Sequence, residues 1–135
     1  MTATRTLALV LGAGLLAACD ADPSGIGRDE PVIDCGPDVT SVAVTVSGGL
    51  TPGIDWSPRC RVSLLLIEEE AHDMWSLRGG EEENRVAPPI TYGVTPNGLS
   101  GGPAEPLVSG HTYEVILWHV GPNTERLLAV HEFTR

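Results

Sequence analysis

Cysteine and histidine side chains are the groups of this chain best suited to covalent or metal chemistry. The sequence has three cysteines, Cys19, Cys35 and Cys60, and no CxxC pair. His119 and His131 could approach each other across a hairpin and present two imidazoles to a transition metal, but no third ligand accompanies them. The sequence has no H-E-x-x-H, P-loop or EF-hand pattern. It therefore predicts no enzymatic activity, no metal site and no cofactor.

The N-terminal segment has the pattern of an export signal. Arg5 precedes an uncharged apolar run over residues 7–18, which is too short to span a bilayer but suits a signal peptide. The run ends in Leu16-Ala17-Ala18-Cys19, which resembles the lipobox of bacterial lipoproteins. The resemblance implies that the Cys19 thiol receives a diacylglyceryl group and that cleavage between Ala18 and Cys19 makes Cys19 the first mature residue, usually with a further N-acyl chain. It also implies a bacterial cell-envelope location, anchored to a membrane and facing the periplasm or cell surface. An ordinary secretory signal is the alternative.

The next segment predicts a tether followed by a disulfide. Residues 19–37 are polar and contain several Pro and Gly residues, which is typical of a flexible linker. With Cys19 assigned to the lipid by the lipobox resemblance, Cys35 and Cys60 form an even pair in an exported chain. This favours a Cys35–Cys60 disulfide. Two separate buried thiols are the alternative, and no histidine stands at metal-ligand spacing from either one.

Alternating apolar and polar residues over residues 38–135 predict an all-β domain, a small antiparallel β-sandwich. We expect strands over residues 39–46, 50–56, 61–67, 112–120 and 127–133, with shorter ones near Trp75 and over 86–92. The third strand is apolar enough to be covered on both faces. A helix over residues 64–75 is the alternative, because Leu64, Ile67, Ala71 and Met74 also follow helical spacing.

Two motifs in this region resemble those of fibronectin type III domains, which have an immunoglobulin-like sandwich fold. Ile54-Asp55-Trp56 resembles the Ile-x-Trp of their second strand, and residues 107–115 resemble their Leu-x-x-Gly-x-x-Tyr-x-Val segment. The resemblance implies that Trp56 lies in the core and that Tyr113 forms a tyrosine corner, with its hydroxyl bonded to nearby backbone. The family usually lacks a disulfide, and residues 86–106 depart from its pattern.

The charge balance limits the classes of partner. The chain has 8 basic and 18 acidic residues, a net charge of −10, and no lysine. This argues against nucleic-acid binding, which needs basic patches to neutralise phosphates. The acidic runs at 68–70 and 81–83 are expected to be solvated loops.

Three apolar side chains are candidates for a binding surface: Trp75, Ile116 and Trp118. Exposed side chains of this kind favour protein contacts. The sequence is therefore interpreted as a non-catalytic, lipid-anchored envelope module that mediates protein binding, adhesion or envelope assembly with an unknown envelope partner. The alternative is a carbohydrate- or peptidoglycan-binding module that stacks sugars on exposed tryptophans.

Overall fold

A computed structural model describes residues 32–80 and 83–135 of the chain. The expected signal peptide, Ala18, Cys19 and most of the expected tether lie outside these residues. The described residues form ten strands and no helix, and hence no helix long and apolar enough to cross a membrane. The strands are β1 (Ile33–Asp34), β2 (Ala43–Val46), β3 (Gly53–Ser57), β4 (Cys60–Arg61), β5 (Leu64–Glu69), β6 (His72–Arg78), β7 (Ile90–Thr91), β8 (Ser100–Gly101), β9 (Thr112–Val120) and β10 (Glu125–Thr134).

Two antiparallel sheets make up most of the structure. The larger has five strands in the order β10-β9-β5-β6-β8, and the smaller has three in the order β2-β3-β7. Strands β5 and β6 form a hairpin whose turn places Glu70 and Ala71 at positive φ. The helix considered over residues 64–75 is therefore replaced by this hairpin. The reason is that β5 pairs along its length with both β6 and β9, which a helix could not do.

The core is formed by the faces of the two sheets that are turned towards each other. On the larger sheet, Leu65, Ile67, Val115 and Leu117 are completely buried. The smaller sheet adds Val44, Ile54 and Trp56 to the same cluster. Strand alternation therefore produces a two-layer all-β sandwich, as the sequence predicts.

Two aromatic residues of the core each hydrogen-bond their polar atom to nearby backbone. Trp56 is 2 % exposed, and its Nε1–H donates to the carbonyl oxygen of Cys60 at 2.8 Å. Tyr113 is fully buried, and its hydroxyl oxygen accepts from the Val108 amide at 2.8 Å. Both side chains thus bury an apolar ring without leaving its polar atom unpaired. The backbone bond of Tyr113 is the local arrangement that its sequence motif predicts.

A disulfide joins Cys35 to Cys60, as the sequence predicts. Next to it, β1 pairs in parallel with β4, and Arg61 donates to the Val32 carbonyl at 2.7 Å. Residues 32–35 are therefore part of the folded domain, and the expectation of a tether reaching residue 37 is wrong for this stretch. The disulfide and the Arg61 bond hold a short segment that lacks apolar periodicity of its own.

Arg126 connects the same segment to the last hairpin. Its guanidinium donates to the carbonyl oxygens of Val39 at 2.8 Å, Gly36 at 3.1 Å and Pro37 at 3.2 Å. It also lies 3.3 Å from Nδ1 of the buried His119. Burial, followed by the Arg126 charge, lowers the pKa of His119. The arginine side chain is always charged and has five N–H donors. It thus provides hydrogen bonds to backbone carbonyl groups that are not paired in a sheet.

Replacing Cys35 and Cys60 together by serine should destabilise the domain by about 3 kcal/mol, since the bond closes a loop of 25 residues in the unfolded chain. Urea unfolding followed by tryptophan fluorescence measures the free energy of unfolding. Reductant should destabilise the wild-type protein and leave the double-serine variant unchanged. Equal stability of the two proteins under oxidising conditions would contradict the prediction.

Candidate protein-binding surface

The outward face of the five-stranded sheet carries six apolar side chains that are exposed or only partly buried. Because side chains alternate along a strand, burying one face of the sheet sends the intervening residues outward. These residues are called the outer patch here: Leu64 and Leu66 on β5, Ile116 and Trp118 on β9, and Leu127 and Val130 on β10. The patch is thus a direct consequence of core formation on the other side of the sheet.

Strand register arranges the outer patch in two rows that cross the sheet. Trp118 is paired with both Leu64 and Leu127, and Ile116 is paired with Leu66 and Val130. Val130 is 53 % exposed and Leu127 is 46 % exposed, while the other four are partly buried by their neighbours. Apolar side chains from three adjacent strands therefore form one contiguous surface, and such surfaces mark interaction sites more often than scattered apolar residues do.

A shallow depression borders the outer patch beside Trp118. Its walls include Leu64, Arg78, Ser100 and Glu125. One positive and one negative side chain therefore stand at this end of the patch, together with a hydroxyl group.

Four carboxylates border the outer patch at its other end, and they are called the acidic row here. Glu114 is the register partner of both Glu68 and Glu132, and Glu68 is paired in turn with Asp73. Four adjacent strands, β10, β9, β5 and β6, thus each contribute one acid. Like charges directly opposite one another across strands are destabilising.

The acidic row alters the protonation of one of its members. Burial raises the pKa of the Glu68 carboxyl, and the negative charge of Asp73, a hydrogen bond with Asp73 and the charge of Glu114 raise it further. Two histidines near this end bind other acids: His111 Nδ1 lies 2.5 Å from Glu69, and His72 Nε2 lies 2.9 Å from Glu105. In the described part of the chain, no salt bridge reaches the acidic row itself.

The structure brings together two of the three side chains proposed for the binding surface. Ile116 and Trp118 lie two residues apart on the outward face of β9. Trp75 does not join them, because it is 3 % exposed and packs edge-on against Tyr92 with ring centroids 5.3 Å apart. Its register partner is the buried Ile67, which places Trp75 on the core face of β6.

Four members of the outer patch were not singled out from the sequence: Leu64, Leu66, Leu127 and Val130. The sequence indicates that β5 is covered on both faces, whereas only its Leu65 and Ile67 face is fully buried. The signal that could have identified them is the alternation of side chains in β5, combined with the pairing of β5 to β9.

The two histidines proposed to meet across the last hairpin do not do so. His119 is paired with Arg126, whereas His131 is paired with Val115. The two imidazoles are therefore offset by four positions along β9, and the hairpin register is the physical reason. The described residues contain no group of three or more side chains able to hold a metal ion.

One pattern that the sequence interpretation missed is Gly98-Leu99-Ser100-Gly101-Gly102, which matches the G-x-S-x-G of hydrolase nucleophile elbows. In an elbow, the serine lies on a sharp turn between a strand and a helix. Here Ser100 lies in β8 at the sheet edge, opposite Arg78, and no helix follows in the described residues. No hydrogen bond joins it to a described histidine. The match therefore lacks the structural context of a catalytic serine.

Comparisons with protein-family models, with curated proteins and with solved structures find no significant match for this chain. Fold and surface geometry are therefore the basis for assigning a function.

Replacing Asp73 by asparagine should lower the pKa of Glu68, because it removes the negative charge with the largest effect on that carboxyl and leaves burial unchanged. A ¹³C NMR titration of the Glu68 side-chain carboxyl in both proteins measures the change. The Asp38→Asn variant is the matched control, since it removes one exposed carboxylate outside the acidic row. An unchanged Glu68 pKa in the Asp73 variant would show that the two side chains are not coupled.

Proposed function

We propose that this chain is a non-catalytic, lipid-anchored module of the bacterial cell envelope that binds another envelope protein through the outer patch. The observation that carries the binding role is the contiguous apolar surface of Leu64, Leu66, Ile116, Trp118, Leu127 and Val130 on an open sheet face. Burying such a surface against a partner would contribute roughly 25 cal/mol for each Å² of apolar area removed from water. Partly exposed aromatic side chains such as Trp118 are also frequent energetic centres of interfaces.

The support for anchoring is the sequence Leu16-Ala17-Ala18-Cys19 at the end of an apolar run. Two or more acyl chains on Cys19 would give stable membrane attachment, which a single chain does not. The disulfide between Cys35 and Cys60 agrees with an oxidising compartment outside the cytoplasm.

The finer fold assignment is also a proposal: we infer a fibronectin type III-like sandwich. Its support is the buried Trp56 in the Ile-x-Trp motif, together with the bond between the Tyr113 hydroxyl and the Val108 amide five residues upstream. Small sandwiches often bind partners through strand edges or end loops. Fold analogy therefore supports the binding role only in general terms.

A glycan is the alternative ligand. The depression beside Trp118 combines an aromatic ring with Arg78, Ser100 and Glu125, and an aromatic face with polar neighbours suits a sugar ring. The burial of Trp75 leaves this alternative with one aromatic platform instead of two.

Growing the source organism with an alkyne-labelled palmitate should label the wild-type chain and leave Cys19→Ser unlabelled, because the acyl chains reach the protein through the diacylglyceryl group on the Cys19 sulfur and the Cys19 amino group. Membrane fractionation of the same cells provides a second measurement, with the wild-type chain in the membrane fraction and the variant outside it. An unlabelled wild-type chain would overturn the anchor and leave plain secretion.

Placing a photo-crosslinking amino acid at position 127 or 130 should capture one and the same protein in intact cells, because both positions lie on the outer patch. Positions 38 and 57, which are also exposed, are the matched controls and should not capture it. Mass spectrometry identifies the captured species. Capture of peptidoglycan fragments would favour the glycan alternative, and equal capture at all four positions would overturn the assignment of the patch.

A further inference from the structure

We propose that the partner segment bound by the outer patch is a cationic amphipathic stretch of polypeptide. Its apolar side chains would cover the outer patch, and its Lys or Arg side chains would lie over the acidic row. This inference rests on the proposed function and adds the chemistry of the partner. It is carried by the placement of an apolar surface and an unneutralised line of carboxylates side by side on one open sheet face.

The two features are in register on three strands. Leu66 precedes Glu68 by two residues on β5, and Ile116 follows Glu114 by two on β9. Val130 precedes Glu132 by two on β10. Side chains two residues apart on a strand point to the same face and are about 7 Å apart. Each acid of these three strands therefore stands directly beside an apolar side chain, on the same face of the sheet.

These spacings match the width of an amphipathic helix. Neighbouring strands lie about 4.8 Å apart, so the acidic row extends about 14 Å across its four strands. A helix about 10 Å wide, lying across the strands, would cover both apolar rows. Residues on one flank of the apolar face of such a helix would then lie over the carboxylates.

The negative charge of the acidic row indicates that the partner carries positive charge. The acidic row has no salt-bridge partner among the described residues, and it places Glu114 between two other glutamates. The row is therefore locally unfavourable, and a Lys or Arg side chain would relieve it. Arg78 also lies on the outward face, but its register partner is Leu64, which is two residues from Leu66 and four residues from Glu68 along β5. A second copy of this chain, with its own net charge of −10, would add to the repulsion.

The test uses the full chain, purified and reconstituted in phosphatidylcholine nanodiscs, with empty nanodiscs as the blank. The probe is a fluorescent peptide of about 14 residues, long enough as a helix to cross the five strands. It is built from Leu and Lys at helical spacing. A second peptide with Glu at every Lys position is the matched control. Fluorescence anisotropy measures both affinities, and the Leu/Lys peptide should bind more tightly than its Leu/Glu counterpart.

Two sets of substitutions separate charge from apolar contact. E68Q/E114Q/E132Q should weaken binding of the Leu/Lys peptide about tenfold, as expected for the loss of three exposed ion pairs. D34N/D38N/E83Q removes the same number of exposed charges elsewhere and should leave the affinity unchanged. L127S/V130S should weaken binding by removing apolar contact. Raising the salt from 0.1 to about 1 M should erase the difference between wild type and the Gln variant.

The outcomes distinguish this inference from the proposed function. Equal binding of both peptides, or equal affinity of the two triple variants, would overturn the cationic partner and leave an uncharged binding surface. Absence of peptide binding together with specific crosslinking from positions 127 and 130 would also overturn the cationic partner while the binding role stands. Absence of both would overturn the two proposals together. Concentration-dependent dimerisation that L127S/V130S abolishes would identify a second copy as the occupant instead.

Discussion

The structure depends on the burial of one face of the five-stranded sheet against the three-stranded sheet. Leu65, Ile67, Val115 and Leu117 are completely removed from water on that face, and Trp56 meets them from the other sheet. Because side chains alternate along a strand, this burial also decides which residues face outward. The outer patch is therefore the other half of the same pattern. A one-residue slip of β9 would exchange the two sets and expose Tyr113.

Sheet packing alone does not hold the segment that leads into the sandwich. The Cys35–Cys60 disulfide holds it by a covalent bond, and the Arg126 guanidinium holds it by hydrogen bonds to carbonyl oxygens. Arg126 lies on β10, the strand that also carries Leu127 and Val130. The contacts that order the start of the domain therefore also position an edge of the outer patch.

The proposals rest on two features that lie side by side on the outward face, the apolar outer patch and the acidic row. An apolar surface could simply result from imperfect burial, and a row of acids could simply be a solvated edge. Their register on three strands is less easily explained in this way, since Glu114 has a like charge opposite it on both sides. A cationic amphipathic partner would cover the apolar side chains and relieve this repulsion in one contact. The acidic, lysine-free composition of the chain is compatible with such a partner.

The sequence by itself predicted the fold class and the disulfide, and the motif resemblance implied the core positions of Trp56 and Tyr113. Strand alternation and cysteine pairing are local or nearly local signals, and they can be read without knowing how strands pair. The tertiary structure decided the site. Trp75 was expected on the surface with Ile116 and Trp118, but the register of β6 with β5 places its side chain in the core. Glu68, Glu114 and Glu132 became neighbours only through β-pairing over 46 and 18 residues of chain (114 − 68 and 132 − 114). Such contacts are set by strand order and register, which a single sequence does not specify.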